Sequence, residues 1–191
     1  MSAHRLNVEL HCHTVASMDG LMTFDSLVAA AAGVGLDAVA ITDHDTIEGA
    51  REFERRAKER NLPLQIIVGE EKTLDDGSHF IGLFLERPIG SGDLAGAIAE
   101  IEAQGGLCLV PHPFRRKDGL FRDGLERLKL FEGHVAGFEL FSAKSSFSER
   151  MRDSAAWRWF SISSRAICII RSACSRSRLA AISICLTAIS W

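Results

Sequence analysis

The stretch His11-Cys12-His13-Thr14-Val15-Ala16-Ser17-Met18-Asp19-Gly20 decides how the rest of the chain is read. It completes an apolar-alternating segment, Asn7 to His13. There Val8, Leu10 and Cys12 share one face and Glu9, His11 and His13 the other, which is the period of a strand. Two imidazoles two residues apart on a strand point to the same side. A carboxylate, Asp19, follows after a tight loop. Three potential metal ligands thus fall within a short length of chain. Further candidates stand at the ends of later apolar runs, so the chain reads as a multi-metal site assembled strand by strand.

Outward from this stretch, strands alternate with helices. Thr23 is placed to cap a helix ending near Gly33-Val34-Gly35, with Leu27, Val28 and Ala31 as its apolar stripe. Ala38 to Thr42 suits a buried strand. Thr46 can cap a charged helix from Ile47 to about Arg60, ended by Asn61-Leu62-Pro63. Gln65 to Gly69 is a third strand, Asp75-Asp76-Gly77 a turn, and His79 to Leu85 a fourth strand. Asp93 caps a helix to Gln104, stopped by Gly105-Gly106. Leu107 to Val110 is a fifth strand, Asp123 to Phe131 a helix, and Gly137 to Phe141 a sixth strand. Strands separated by helical patterns imply parallel pairing through right-handed crossovers. The fold class is α/β, either a barrel or an open doubly wound sheet.

Polar residues choose between the two. In such folds the site is built at the carboxyl ends of the strands. Here the first strand ends in His11 and His13, the second in Thr42-Asp43-His44-Asp45, the third in Gly69-Glu70-Glu71 and the fifth in Pro111-His112-Pro113; the sixth carries Glu139. Ligands converging from several strands suit a barrel, and no GxGxxG follows the first strand to support a dinucleotide fold. Each element also has a plainer reading. Asp43-His44 could be a helix-entry loop, Glu70-Glu71 a solvated turn and His112 a turn former. Strand alternation lets only one of Glu70 and Glu71 point inward. Glu139, set among Phe138, Leu140 and Phe141, needs a partner if buried, and a metal supplies one. His4, His79 and His134 lack such placement and read as structural or exposed.

The 191 residues, 47% hydrophobic and 25% charged, suit one soluble globular domain. A net charge of −3 gives no reason to expect a nucleic-acid surface. The start of the chain has no secretory pattern and no run of 18 apolar residues exists, so a cytoplasmic location without a membrane partner is expected. Five cysteines without a CxxC pair argue against a disulfide framework or zinc ribbon.

Composition changes late in the chain. Residues 1–150 hold 16 Lys+Arg and 24 Asp+Glu; residues 151–191 hold 6 Arg and the single acid Asp153. All 16 glycines lie at or before Gly137, and all three tryptophans (Trp157, Trp159, Trp191) lie in the tail. Short apolar elements are conceivable at Ile167–Ile170 and Ala180–Ile189. A basic amphipathic segment for a membrane or an acidic partner is one reading. The favoured one is out-of-frame or otherwise non-native sequence joined near residue 149. The expected division is therefore a domain at 1–149 and an atypical Ser/Arg/Ile tail, non-native or disordered, at 150–191.

HCHTVASMDG, AVAITDHDTIEG, VGEE, VPHPF and GFELF together resemble the motifs of the PHP (polymerase and histidinol phosphatase) superfamily, over roughly residues 6–148. The resemblance implies a distorted (βα)7 TIM-like barrel, here incomplete with about six strands, and two or three divalent ions at its mouth. It implies His11, His13, Asp19, His44, Glu71, His112 and Glu139 as metal ligands, with Glu71 preferred because the family pattern reads Gly-x-Glu. Asp43 would orient His44 or a neighbour. Arg115 could bind a substrate phosphate, as could Arg116 or Lys117. Mixed His and carboxylate ligation suits Mn²⁺, Zn²⁺ or Fe²⁺. The implied activity is metal-dependent hydrolysis of a phosphate ester, on a small phosphorylated metabolite or a nucleoside 3′,5′-bisphosphate. No aromatic-basic groove for long nucleic acid is visible in residues 1–149. The family also carries a closing Asp-x-His motif on the last barrel strand, and this chain has no histidine after His134. An incomplete metal cluster with impaired turnover is the expectation, and a non-catalytic α/β fragment or accessory domain with a partial metal site is the alternative.

Overall fold

The apolar runs between Asn7 and Phe141 become strands of one sheet. The computed structural model describes residues 6–127, 134–141 and 168–171. Along them lie β1 (Val8–Cys12), α1 (Phe24–Val34), β2 (Ala38–Ile41), α2 (Glu48–Glu59), β3 (Gln65–Thr73), β4 (His79–Leu83), α3 (Leu94–Glu102), β5 (Leu107–Val110), β6 (Val135–Phe141) and β7 (Cys168–Arg171). The strands neighbour one another in chain order. Within β1–β3 and within β5–β7 the pairing is parallel, and β4 runs antiparallel to both β3 and β5.

Parallel pairing throughout is thus corrected at β4. Strands joined by so short a turn can only return antiparallel. The turn is closed by Gly77 at φ 76° and by Asp76, whose Oδ1 accepts from the Ser78 amide at 2.9 Å.

The sheet curls. His11 on β1 and Glu139 on β6 approach to 3.4 Å. Five strand spacings, roughly 24 Å, would part them in a flat sheet. This is the α/β half-barrel expected of an incomplete TIM-like barrel. Its interior is filled by Ala38, Ala40, Ile67, Ile81, Leu83 and Leu109. Outside, Phe24 and Leu27 of α1 and Phe53 of α2 cover Val39, Ile41 and Ile66, while Ile98 and Ile101 of α3 join Phe80 and Val110. β2 is buried along its whole length, which is why Ala38–Ile41 reads as a continuous apolar run.

Local signals set the helix ends. Thr23 accepts from the Ser26 amide and forms a capping box, and Gly35 stops α1 in the left-handed region. Asp93 caps α3. Helix α2 begins at Glu48, with Ile47 at the cap position; Thr46 Oγ1 accepts from the Glu48 amide at 3.2 Å. Of the helix expected over Asp123–Phe131, the described part forms turns and a short 3₁₀ segment; the remainder lies outside the described residues. β7 coincides with the apolar element read at Ile167–Ile170. Its neighbours in the 150–191 segment, the Ala180–Ile189 element and residues 142–148 lie outside the described residues, as does His4.

Candidate metal centre

The opening motif reaches the barrel interior through a bulge. Glu9 pairs with Val39 and Cys12 with Ile41, so β1 spends one more residue than β2 over this interval. Leu10 and His11 both fall opposite Ala40 and turn inward. Cys12 turns outward into the core under α1 and α2. The expected face of Val8, Leu10 and Cys12 is therefore broken between Leu10 and Cys12. His11 and His13 still share one side.

Glu71 is the centre on which the imidazoles converge. Its Oε2 lies 3.0 Å from His11 Nε2 and 2.8 Å from His13 Nε2, and its Oε1 lies 2.8 Å from His112 Nε2 and 2.9 Å from His79 Nδ1. His44 Nε2 stands 3.7 Å from Oε2. Glu71 is 1% exposed. Glu70 points to the opposite face, where its Oε2 accepts from the Ile89 amide at 2.8 Å and burial raises its pKa. Asp19 closes the side of the cluster, 3.1 Å from His13 Nδ1 and 3.8 Å from His44 Nε2. Ser17 Oγ accepts from the His44 amide at 2.9 Å, tying this loop to the end of β2.

His112 follows β5 between two prolines, with φ at 27°. Such strain persists only where surrounding bonds hold it. One of them is the His112 amide, which donates to Glu139 Oε2 at 2.8 Å.

Asp43 and Arg115 reach the cluster through other residues. The Asp43 carboxylate is fully buried and grips Thr14, accepting from its amide at 2.6 Å and from its hydroxyl at 2.7 Å. It thereby holds Thr14, the residue beside His13. The Arg115 guanidinium is engaged by Asp118 through Nε and a terminal nitrogen. Arg116 and Lys117 are exposed.

Two further residues, His79 and Asp118, stand at the cluster. His79, expected to be structural or exposed, instead faces Glu71. Strand β4 runs in reverse, so its amino end, not its carboxyl end, lies at the mouth. The hairpin register contained the signal: Thr73 pairs with His79 and Glu71 with Ile81, placing His79 on the face of Glu71. Asp118, 4% exposed, lies 3.5 Å from His112 Nδ1 and 4.0 Å from His79 Nδ1. No local pattern marks it.

The electrostatics favour bound positive charge. Burial opposes protonation of His11, but Glu71 and Glu139 overcome it and hold its pKa well above 6.5. Burial opposes ionisation of Glu71, but His11, His112 and His13 hold its pKa well below 4.5. Glu139 is likewise lowered against burial by His11 and His112. Burial lowers His44 and His112.

The donors fit divalent ions. His11 Nε2 and His13 Nε2 lie 3.0 Å apart. Buried Glu139 Oε1 and His44 Nδ1 have no hydrogen-bond partner. His11, Glu71 and His112 form one compact donor set, His13, His44 and Glu71 a second, with atoms inside 4.8 Å in each. Glu71 is common to both.

A family model described as the PHP domain matches residues 9–163. The uncharacterized protein MJ1587 of Methanocaldococcus jannaschii is 30% identical over 149 residues, 72% of this chain and 82% of that protein. A 5′-3′ exoribonuclease of Haemophilus influenzae is 38% identical over 82 residues, 41% of this chain and only 29% of the enzyme. Among solved structures, a two-domain protein from Bacteroides vulgatus contains a predicted PHP-like metal-dependent phosphoesterase. It matches with a TM-score of 0.68 and 23% identity, over 88% of this chain and 52% of that one.

Proposed function

Because this chain belongs to the PHP domain family, we propose that it derives from a metal-dependent phosphoesterase acting on a small phosphorylated metabolite or a nucleoside 3′,5′-bisphosphate. One observation carries the reading: a single buried carboxylate, Glu71, faced by four imidazoles at 2.8–3.0 Å. His11, His13, His44, His112, Asp19, Glu71 and Glu139 would hold an incomplete set of the two or three ions that the family resemblance implies. Mn²⁺, Zn²⁺ or Fe²⁺ there would activate water and neutralise the phosphoryl oxygens during in-line displacement. The residues themselves supply the orientation. Glu139 fixes the His112 backbone, Ser17 fixes His44, and Asp43 fixes Thr14 beside His13. Exposed Arg116 and Lys117 would draw an anionic substrate towards the mouth. The name of the Haemophilus relative favours a nucleotide among possible substrates.

A non-catalytic domain with a partial metal site is the second reading. Residues 142–191 contain no histidine to complete a closing Asp-x-His pair. Among the described residues no helix is long and apolar enough to cross a membrane. Phosphate release from a nucleoside 3′,5′-bisphosphate, with added Mn²⁺ against excess chelator, separates the two. Chelator-sensitive release supports the phosphoesterase; metal uptake without release supports the second reading. The division into a domain at 1–149 and a non-native tail is tested by the coding DNA near codon 149. Another frame there should restore a glycine- and acid-rich continuation containing Asp-x-His.

A further inference from the structure

We propose that Asp118 orients His112 for the metal centre and that Arg115 fixes Asp118 in that task, so that both act as positioning residues. The inference rests on the metal-centre reading above. His112 Nε2 faces the cluster, 2.8 Å from Glu71 Oε1. A neutral imidazole carries one N–H. If Nε2 offers its lone pair to a cation, the hydrogen is on Nδ1 and needs an acceptor. His112 Nδ1 is buried with no hydrogen-bond partner, and Asp118 Oδ1 stands 3.5 Å away. A closing movement of a few tenths of an ångström brings that pair to an ordinary hydrogen bond.

The surrounding loop is built to hold Asp118 there. Its backbone carbonyl accepts from the His79 amide at 2.9 Å, which pins it to the first residue of β4. The Arg115 amide donates to His112 O at 3.0 Å, and the Gly119 amide to Arg115 O at 2.7 Å. Arg115 then closes a planar fork on both carboxylate oxygens. The fork also argues against Asp118 as a metal ligand, although one of its oxygens and one ring nitrogen each of His79 and His112 lie within 4.8 Å of one another. A dication on Asp118 would press against a guanidinium already bound to both oxygens. The Arg115–Asp118 pair therefore serves the imidazole, and Arg115 is not an open guanidinium waiting for phosphate.

Zn²⁺ loading of the full chain tests this. The readouts are ions bound per chain, affinity by chelator competition, and the His112 tautomer from long-range ¹H–¹⁵N NMR. The wild type should carry its His112 hydrogen on Nδ1. Asp118→Asn should keep the number of ions and weaken binding about 10- to 100-fold, the usual loss when a ligand's hydrogen-bond partner is removed. Arg115→Lys, which keeps the charge but not the fork, should weaken binding in the same direction by less. Loss of one ion with the remaining sites unchanged would make Asp118 a ligand and overturn the proposal. Unchanged affinity and tautomer in both variants would overturn it too. A wild type that takes up no Zn²⁺ would overturn this inference together with the metal centre. If Asp118→Asn fails to fold, judged by circular dichroism, Arg115→Lys decides by the same readouts.

Discussion

Replacing Asp43 with alanine strips two hydrogen bonds from Thr14 and leaves both donors buried. Asp43 and Thr14 are each 0% exposed, and the bonds are short, 2.6 Å to the amide and 2.7 Å to the hydroxyl. Hydrogen bonds to a charged group contribute about 1.5–3 kcal/mol each, so Asp43→Ala should cost about 3–6 kcal/mol. Against a domain stability of about 5–15 kcal/mol that is a large share. Asp43→Asn keeps the shape and one acceptor but loses the charge, and should cost roughly half as much. Urea unfolding of the metal-free protein, followed by circular dichroism, measures both. A cycle with Thr14→Val isolates the hydroxyl bond, with an expected coupling of about 1.5–3 kcal/mol. Helix α2 gives a second handle. A Cβ on Gly49 would lie 2.3 Å from Asp43 Oδ2 and 2.8 Å from Thr14 Oγ1. Gly49→Ala should therefore cost about 1–3 kcal/mol in the wild type, and less beside Asp43→Ala, where the nearest atom is gone. A loss below about 1 kcal/mol for Asp43→Ala would refute the assignment of Asp43 as the anchor of the His13 loop.

Three further outcomes are expected. Glu71→Gln should lower Mn²⁺ affinity by more than about 100-fold, beyond the loss typical of an outer hydrogen-bond partner; near-native binding by equilibrium dialysis would remove Glu71 from the centre. Asp76 has a pKa of about 2 against an ordinary 3.8, because Ser78 and Arg127 outweigh its burial. A depressed carboxylate stabilises the fold above its unfolded pKa and stops doing so as pH falls through the folded one. Urea midpoints should thus fall between pH 4 and 2 in the wild type and fall less in Asp76→Asn; identical profiles refute the linkage. Burial, with Glu102 adding to it, pushes the Cys108 thiol up to about 12. Peptide mapping after iodoacetamide at pH 8 should find Cys108 unmodified in the folded protein and alkylated in urea, whereas alkylation of the folded form would show the thiol to be accessible.

What could be read from the sequence was what depends on near neighbours. Strand period, helix caps and the glycine stops placed β1 to β6 and α1 to α3 because each is written within a few residues. Alternation required one of Glu70 and Glu71 to face inward, and the Gly-x-Glu pattern of the resemblance selected Glu71. The bulge in β1 could not be read from β1 alone, since it exists only as a mismatch with β2. It broke the expected face at Cys12 but spared the pair His11 and His13, whose spacing lies beyond the extra residue. Asp43 points to a partner 29 residues earlier, and nothing local identifies Thr14. His79 differs, because the information that places it is local. Its side of the sheet follows from the turn at Asp75-Asp76-Gly77, once that turn is taken to reverse the chain. A reversed strand delivers its first residue, not its last, to the mouth. The rule that sites gather at carboxyl ends holds only for strands that run with the majority. In a barrel with one antiparallel strand, the amino-terminal residue of that strand should be searched for ligands just as the carboxyl ends of the others are.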